Sequence, residues 1–403
     1  MSMDNTKINS RVPKLRFPEF VQEWEENILG AVSLNEDNRR RPVSRSERVA
    51  GEYPYYGANG IQDYVNQFIY SGERLLIGED GSVLTEGGTP VLNWATGEFW
   101  VNNHAHVLSQ KDGTSLKYLY YYLSTVRIPG LVTGIPPKLT QDNLNSIRVL
   151  LPPSFNEQKK LAECLSAIDE LIYAQGQKVD ALKARKKGLM QQLFPQNGET
   201  TPSLRFPGFN GEWEVKKLVD IAQKMNRRNR LLEVTRVLTN SANDGVVDQS
   251  VYFDRDIAVK GNTDNYYIVE LDDFVYNPRI SSSAPVGPIS INKIGKGIMS
   301  PLYTVFKFHT GYVPFFEYYF QTNIWHPYLK SIANFGARFD RMNITSEGFF
   351  DMPLYLPSSL AEQQKIASCL SSLDDTIQCE NDKLETLKAH KKGLMQQLFP
   401  NSK

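Results

Sequence analysis

The chain has 403 residues, enough for two or three domains with their own cores, and its 41% hydrophobic and 22% charged residues are typical of a globular protein. No segment approaches the ~18 uninterrupted apolar residues of a membrane span, and the N-terminus lacks the apolar stretch of a secretory signal. A cytoplasmic protein with no membrane partner is therefore expected. Because 45 basic residues balance 45 acidic residues, a generic polyanion binder is disfavoured, and any nucleic-acid contact must be local.

The elements follow one another in a repeated order. A short opening motif, L-R-F-P-x-F with a later Trp, begins at Leu15 and recurs at Leu204. Each opening precedes a region that has little similarity to its counterpart. Each region then leads into a nearly duplicated segment, Leu151 to Gln196 and Leu356 to Asn401, in which 26 of 46 aligned positions are identical. The repeat predicts four parts: a variable domain at 1–150, a long helix at 151–196, a second variable domain at 203–355 and a second long helix at 356–403.

Apolar residues in each duplicated segment recur at alternating spacings of four and three, which is the pattern of a coiled-coil seam. The pattern predicts two helices of about 40 residues that begin near Pro153 and Ser359 and end at Pro195 and Pro400. So long a seam requires a partner helix, although packing of each helix on its own domain is the alternative. The first seam consists of Leu161, Leu165, Ile168, Ile172, Gln175, Val179, Leu182, Lys186, Leu189 and Leu193, and the second repeats it from Ile366 to Leu398.

The polar residues of the seam indicate how the helices pair. Parallel pairing in register would place Lys186 beside Lys391 in one buried layer, which is unfavourable. Antiparallel pairing places Gln175 near Glu380 and separates the lysines by about 33 Å. The predicted fold class is therefore α+β, with two α/β domains separated by two long helices in an antiparallel coiled coil and an internal pseudo-two-fold repeat. Such helices would hold the domains at a separation that suits DNA sites about one turn, ~34 Å, apart.

These motifs together resemble the specificity subunit of type I restriction-modification systems, and the resemblance covers essentially the whole chain. It rests on the two openings, on the P-x-x-x-x-E-Q-x-K-[LI]-A-x-C-L-S-x-[LI]-D runs from Pro152 and Pro357, and on the two K-K-G-L-M-Q-Q-L-F-P helix ends. The resemblance implies two target-recognition domains that each read one half of a bipartite double-stranded DNA target. It also implies that the long helices dock two adenine methyltransferase subunits, which motor-nuclease restriction subunits then join.

The resemblance further implies that this chain has no catalysis, cofactor or metal of its own, with S-adenosylmethionine, ATP and Mg²⁺ expected on partner subunits. The sequence has no methyltransferase tetrapeptide, since Asn277-Pro278-Arg279-Ile280 lacks the second proline and the aromatic residue, and it has no G-x-x-x-x-G-K-[ST] loop. His104 and His106 would share one strand face and could bind a metal, but no third ligand is evident. The alternative function is a helical scaffold whose end domains bind proteins rather than DNA.

A basic cluster occurs at the same place in both variable domains. Carrying the 189-residue offset of the openings forward superposes 38–41 on 227–230. Arginine suits phosphate and guanine because its planar guanidinium binds two acceptors at once. A solvated charge cluster is the alternative. The predicted DNA contacts in these clusters are Arg39, Arg40, Arg41, Arg227, Arg228 and Arg230.

Further candidates lie in turns and in the stretches just before the long helices. The segment Y-P-Y-Y-G-A-N-G-I at 53–61 resembles segments of the family's recognition domains, and its Tyr and Asn side chains could reach base edges. A turn at 276–283 combines small donors with an arginine, and basic residues before each helix could bind phosphate. Structural turns and loop charges are the alternatives. The predicted contacts in this second group are Tyr55, Tyr56, Asn59, Lys138, Asn277, Arg279, Ser282, Arg338 and Arg341.

Overall fold

The computed structural model describes residues 11–196, 198–253, 263–334 and 340–400. The chain divides into two compact units: unit 1 comprises Met1–Gln177 and Asn381–Lys403, and unit 2 comprises Lys178–Glu380. Each unit therefore contains one variable region together with parts of both duplicated segments. None of the helices formed by the described residues has both the length and the apolar character needed to cross a membrane.

Unit 1 contains two four-stranded sheets, ordered β2-β9-β6-β7 and β4-β3-β8-β5, with most neighbouring strands antiparallel. Its strands are β1 (Glu25–Ile28), β2 (Ser33–Asn35), β3 (Ala50–Gly57), β4 (Gly60–Val65), β5 (Tyr70–Ser71), β6 (Arg74–Gly78), β7 (Leu92–Ala95), β8 (Glu98–Val101), β9 (Ala105–Gln110), β10 (Val132–Thr133), β11 (Lys138–Leu139) and β12 (Arg148–Leu151). Its short helices are α1 (Leu29–Val32), α2 (Leu116–Leu123) and α3 (Gln141–Asn145).

The first long helix is α4 (Phe155–Leu193), and unit 2 follows with one four-stranded sheet, ordered β14-β21-β18-β19. The strands of unit 2 are β13 (Glu214–Lys217), β14 (Ala222–Met225), β15 (Leu238–Ser241), β16 (Gly245–Asp248), β17 (Tyr267–Val269), β18 (Phe274–Tyr276), β19 (Ile289–Ile291), β20 (Gly297–Met299), β21 (Thr304–Phe308) and β22 (Pro353–Leu356). Its helices are α5 (Leu218–Ile221), α6 (Gln249–Phe253), α7 (Val313–Gln321), α8 (His326–Ile332) and α9 (Ser346–Phe350), and the second long helix is α10 (Leu360–Leu398).

The long helices confirm the predicted coiled coil. Each has 39 residues and ends just before the predicted proline. Every predicted seam position is buried or half-buried, while most flanking positions are exposed. Within unit 1, Lys391 near the end of α10 lies 2.5 Å from Asp169 near the start of α4, and within unit 2, Lys186 lies 2.6 Å from Asp374. The helices are therefore antiparallel, and each seam lysine pairs with an aspartate of the opposite helix.

The opening motifs secure each variable domain to the helix that follows it. Arg16 donates two hydrogen bonds to Glu157 of α4, at 2.7 and 2.8 Å, and Arg205 makes the same pair of bonds to Glu362 of α10. Both glutamates are buried, so these charge-assisted bonds replace the water that the carboxylates lose. In each unit the first strand also pairs with the strand before the long helix, β1 with β12 and β13 with β22. The start and the end of each domain thus meet at its helix.

A second attachment comes from two aromatic helices, α2 and α7. The hydroxyl of Tyr121 donates to Asp169 at 2.8 Å, and that of Tyr318 donates to Asp374 at 2.8 Å. Burial and the neighbouring carboxylate raise the pKa of both hydroxyls, so both remain protonated donors near neutral pH. Each aspartate also binds the seam lysine of the opposite helix. We call these groups the anchor triads, composed of Tyr121, Asp169 and Lys391 in unit 1 and of Tyr318, Asp374 and Lys186 in unit 2.

Candidate nucleic-acid interface

The first basic cluster begins within a 3-10 turn at Asp37–Arg39, and the side chain of its central arginine has little exposed surface. The side chain of Arg40 is 14% exposed and forms ion pairs with Glu79 and Asp37, the latter at 3.4 Å. Arg39 is about half exposed, pairs with Glu36 at 3.0 Å and lies over the Tyr70 ring. Arg41 has an exposed side chain on a backbone that is hydrogen-bonded to Val101. Within this cluster, Arg39 and Arg41 are accessible to DNA, whereas Arg40 is used inside the domain.

The partners of Arg40 belong to a buried charge network. His106 lies 2.6 Å from Asp37 through Nδ1 and 2.8 Å from the carbonyl oxygen of Leu139 through Nε2. Glu79 also binds Lys138 at 2.9 Å. Burial alone would raise the pKa of Asp37 and Glu79, but hydrogen bonds from their histidine, arginine and lysine partners outweigh it, and both pKa values lie below normal. Both carboxyls are therefore ionised at neutral pH.

This network changes the interpretation of the two histidines. The sequence offered no third ligand, yet the structure brings ligand atoms of Asp37, Glu79 and His106 within 4.8 Å of one another. Both ring nitrogens of His106 nevertheless face oxygen atoms of the protein, and Arg40 and Lys138 already compensate the carboxylates. The geometry therefore favours an ion-pair network over a metal centre. His104 takes no part in this group, because its ring pairs with Asp80 at 2.5 Å.

The second basic cluster is open. Lys224, Asn226, Arg228, Arg230 and Tyr267 line a polar cavity of about 410 Å³, which we call the basic pocket. Arg228 donates to the backbone and side-chain oxygens of Asn265 at 3.1 and 3.2 Å, and its guanidinium lies over the Tyr267 ring. Arg227 has a 63% exposed side chain at 4.0 Å from Glu270. Three cations around one polar cavity suit a phosphate group, which binds several donors at once.

Three residues of the basic pocket, Lys224, Asn226 and Tyr267, were missed in the sequence. Lys224 belongs to the same basic run, K-M-N-R-R-N-R, and therefore had a visible signal. Tyr267 lies about forty positions later and reaches the pocket through β17, so no local pattern could have assigned it.

Three predicted contacts of unit 1 lie in or next to strand β3, and two of them are buried. Tyr55 is buried, and its hydroxyl is hydrogen-bonded to the backbone of Val43. Tyr56 is also buried and packs against Phe99. Both rings are used in packing within unit 1, which favours the structural alternative for this segment, and base contacts by these two tyrosines stay a prediction. Asn59 is exposed at the turn between β3 and β4 and remains a candidate contact.

Lys138 remains a candidate contact as well, because its side chain is 48% exposed although it binds Glu79. It pairs with Thr133 next to the loop of the β10–β11 hairpin.

Some predicted contacts in unit 2 also stabilise the fold, while others are exposed. Asn277 donates to the carbonyl of Asn240 and accepts from the backbone of Arg279, so its amide stabilises the turn. Arg279 is exposed and lies 3.6 Å from Asp340, and Ser282 is exposed on the same turn. Arg341 is more buried and pairs weakly with Asp340 at 4.0 Å. Arg338 lies outside the described residues.

Two α/β units, each attached by the same ion pairs to an antiparallel helix pair, define a class of internally duplicated proteins in which one scaffold carries two different domains. Residues 22–184 and 210–389 match the type I restriction modification DNA specificity domain, and the chain belongs to that family.

Comparisons with individual proteins agree with the family. The chain is 41% identical over 150 residues to a putative type I restriction enzyme specificity subunit of Haemophilus influenzae. The matched segment covers 37% of this chain and 38% of that protein. A putative MjaX specificity subunit of Methanocaldococcus jannaschii is 23% identical over 96% of this chain and 95% of its own length. The type I S subunit of M. genitalium shares the fold, with a TM-score of 0.63 at 17% identity over 97% of this chain and 100% of that chain. The match to the Haemophilus relative thus spans well under half of its length.

Proposed function

We propose that this chain is the subunit that selects the DNA sequence for a type I restriction-modification complex in the cytoplasm, and that each variable domain reads one half of a bipartite target. The observation that carries the proposal is the duplicated attachment of two different domains. The Arg–Glu pairs and the anchor triads recur in both units, whereas the surfaces around the two basic clusters differ. A repeated scaffold with divergent ends suits two readers of different half-sites.

The long helices are proposed to dock two methyltransferase subunits. The two duplicated segments are identical at 26 of 46 aligned positions, above all in their shared K-K-G-L-M-Q-Q-L-F-P ends, and like segments suit two copies of one partner. Motor-nuclease restriction subunits would join this assembly. S-adenosylmethionine, ATP and Mg²⁺ would be bound by those partners, while this chain contributes specificity and no catalysis. In this proposal the buried glutamates Glu79, Glu157 and Glu362, each paired with an arginine, have structural roles.

The proposed DNA contacts are the accessible residues of the two basic clusters together with accessible members of the second group of candidates. In unit 2 these are Arg227, Arg228 and Arg230 at the basic pocket, with Arg279 and Ser282 on the turn that follows β18. In unit 1 they are Arg39, Arg41, Asn59 and Lys138. Since the net charge of the chain is zero, these local cations provide phosphate attraction only at the reading surfaces.

The test is to co-express the chain with its cognate adenine methyltransferase and to map methylated adenines across a genome. A bipartite motif is expected. Replacing residues 25–150 with those of another family member should change one half of the motif and preserve the other. If both halves change, the modular reading is wrong. If the complex methylates without any sequence motif, the chain is better explained as a helical scaffold whose domains bind proteins.

A further inference from the structure

An exposed leucine adjoins the basic pocket of unit 2. Leu231 directly follows Arg230 and is 80% exposed. The next residue, Leu232, is 47% exposed and has a φ of 54°. This left-handed conformation is strained for a leucine, and such strain persists only where the surrounding structure holds it. A large apolar side chain is thus held in solvent beside three cations, in a place where its exposure is unfavourable for folding.

The turn that carries this leucine is held by a buried asparagine. Asn229 is 1% exposed, and its side chain donates to the carbonyl of Val234 at 2.8 Å and accepts from the Val234 amide at 3.1 Å. The backbone carbonyl of Asn229 also accepts from Leu232 at 2.9 Å, and its amide donates to Tyr266. Asn229 is therefore a structural clamp rather than a DNA contact. It closes the loop into a defined shape and leaves the Leu231 side chain pointing away from the core.

Duplex DNA offers both an anionic backbone for the basic residues and apolar base-pair faces for the exposed leucine. Phosphates would bind Lys224, Arg228 and Arg230, while the apolar faces of neighbouring base pairs would bury the leucine. Apolar side chains flanked by basic residues insert between base pairs in several kinds of DNA-bending protein. We propose that Leu231 is a wedge that enters a base step in the half-site bound by unit 2 and partly unstacks it. This inference rests on the proposed function and adds a mechanism of DNA deformation to it.

Unit 1 does not repeat this feature at the corresponding position. With the 189-residue offset, Leu231 aligns with Pro42 and Leu232 with Val43, whose backbone is bound to the hydroxyl of Tyr55. The wedge therefore predicts distortion at the half-site of unit 2 and none from the equivalent position of unit 1. The energy needed to unstack a step depends on its sequence, so the wedge would also contribute to specificity through flexible pyrimidine–purine steps.

The experiment uses the full chain in complex with its methyltransferase and a duplex that carries the mapped target. 2-Aminopurine is placed at successive steps of the unit 2 half-site, because its fluorescence rises when its stacking is lost. Apart from the adenine that the methyltransferase takes out of the stack, the native complex should raise the fluorescence at one step. Leu231→Ala should abolish that rise and weaken target binding several-fold, while Leu231→Met, which keeps a long apolar side chain, should retain most of it.

Val219→Ala is the matched control, since it truncates another exposed aliphatic residue of unit 2, 52% exposed on α5. It should leave the fluorescence and the binding unchanged. An unchanged fluorescence rise in Leu231→Ala would overturn the wedge while leaving the proposed function intact. Retained DNA distortion with weaker binding of the methyltransferase would also overturn it and would assign the leucine to a protein interface. Absence of sequence-specific binding by the native complex would refute the proposed function itself.

Discussion

The two basic clusters occupy the same position in the repeat but have different surroundings. In unit 1, Arg40 is enclosed by Asp37 and Glu79, whereas in unit 2, Arg228 lies beside an open polar cavity. The 189-residue offset aligns Arg40 with the buried Asn229 and Arg39 with Arg228. It also aligns Asp37 and Glu36, the carboxylate partners of Arg40 and Arg39, with Asn226 and Met225. Where the carboxylates are present, arginine becomes part of the fold; where they are replaced, arginine is available to a ligand. The carboxylates around a basic motif therefore indicate better than its number of arginines whether those arginines are available to a ligand.

The largest expected effect separates these two roles. Arg40→Met removes a partner from two buried carboxylates and should lower the free energy of unfolding by about 3 kcal/mol. Arg228→Met should cost less, about 1 kcal/mol, because its hydrogen bonds to Asn265 are solvent-exposed. Urea unfolding followed by tryptophan fluorescence measures both. Equal losses for the two variants would contradict the contrast between a structural and an available arginine.

A second expected effect is confined to unit 2 and depends on pH. Burial, with a smaller contribution from Lys330, lowers the pKa of His326 to about 4 from the ordinary 6.5. Between these values the unfolded chain binds a proton that the folded chain does not, so stability is lost as the pH falls from 7 to 5. The expected loss is on the order of 2 kcal/mol. Thermal unfolding at both pH values measures it.

His326→Asn is the matched variant for this measurement. It removes the titrating group, so it should remove most of the difference between pH 7 and pH 5. The carboxyls of the unit 1 network, Asp37 and Glu79, have lowered pKa values and lose their contribution only below the ordinary carboxyl range, outside this window. An undiminished pH dependence in the variant would show that another group is responsible.

The long helices were predictable because their seam and their duplication repeat one signal many times. The basic clusters were predictable in position but not in role. Arg40 lies in a network with residues 79, 106 and 138, which are distant in sequence and meet only when the sheets form. The burial of Tyr55 and Tyr56 was not visible in the sequence for a related reason, since the surroundings of a tyrosine in a strand are known only when the covering layer is known.

The aromatic helices α2 and α7 show a signal that was present but overlooked. Their cores read Y-L-Y-Y-Y-L and F-F-E-Y-Y-F, and their anchor tyrosines lie 197 residues apart. This offset falls between the 189 of the openings and the 205 of the long helices, so ungapped alignment from either end passes over it. A comparison that allowed insertions in the variable domains would have found the anchors.

The anchor triads provide a smaller and symmetric effect. Lys391→Met and Lys186→Met each leave a partly exposed aspartate without its lysine, and each should destabilise its own unit by about 1 kcal/mol. The two values should agree because the geometry is duplicated. Urea unfolding of the single variants and of the double variant measures them, and a clearly non-additive double variant would indicate that the two triads are energetically coupled.

The smallest expected change in stability accompanies the most informative change in binding. Arg230 is exposed at the basic pocket, so Arg230→Gln should leave unfolding unchanged within about 0.5 kcal/mol. If it neutralises one phosphate, the slope of log K against log salt should fall by about 1, and the affinities for target and non-target duplexes should fall alike. Titration of the methyltransferase complex with labelled duplex at several salt concentrations measures both. A loss restricted to the target duplex would instead assign Arg230 to a base, because phosphate contacts carry no sequence information, whereas a guanidinium bound to guanine discriminates directly.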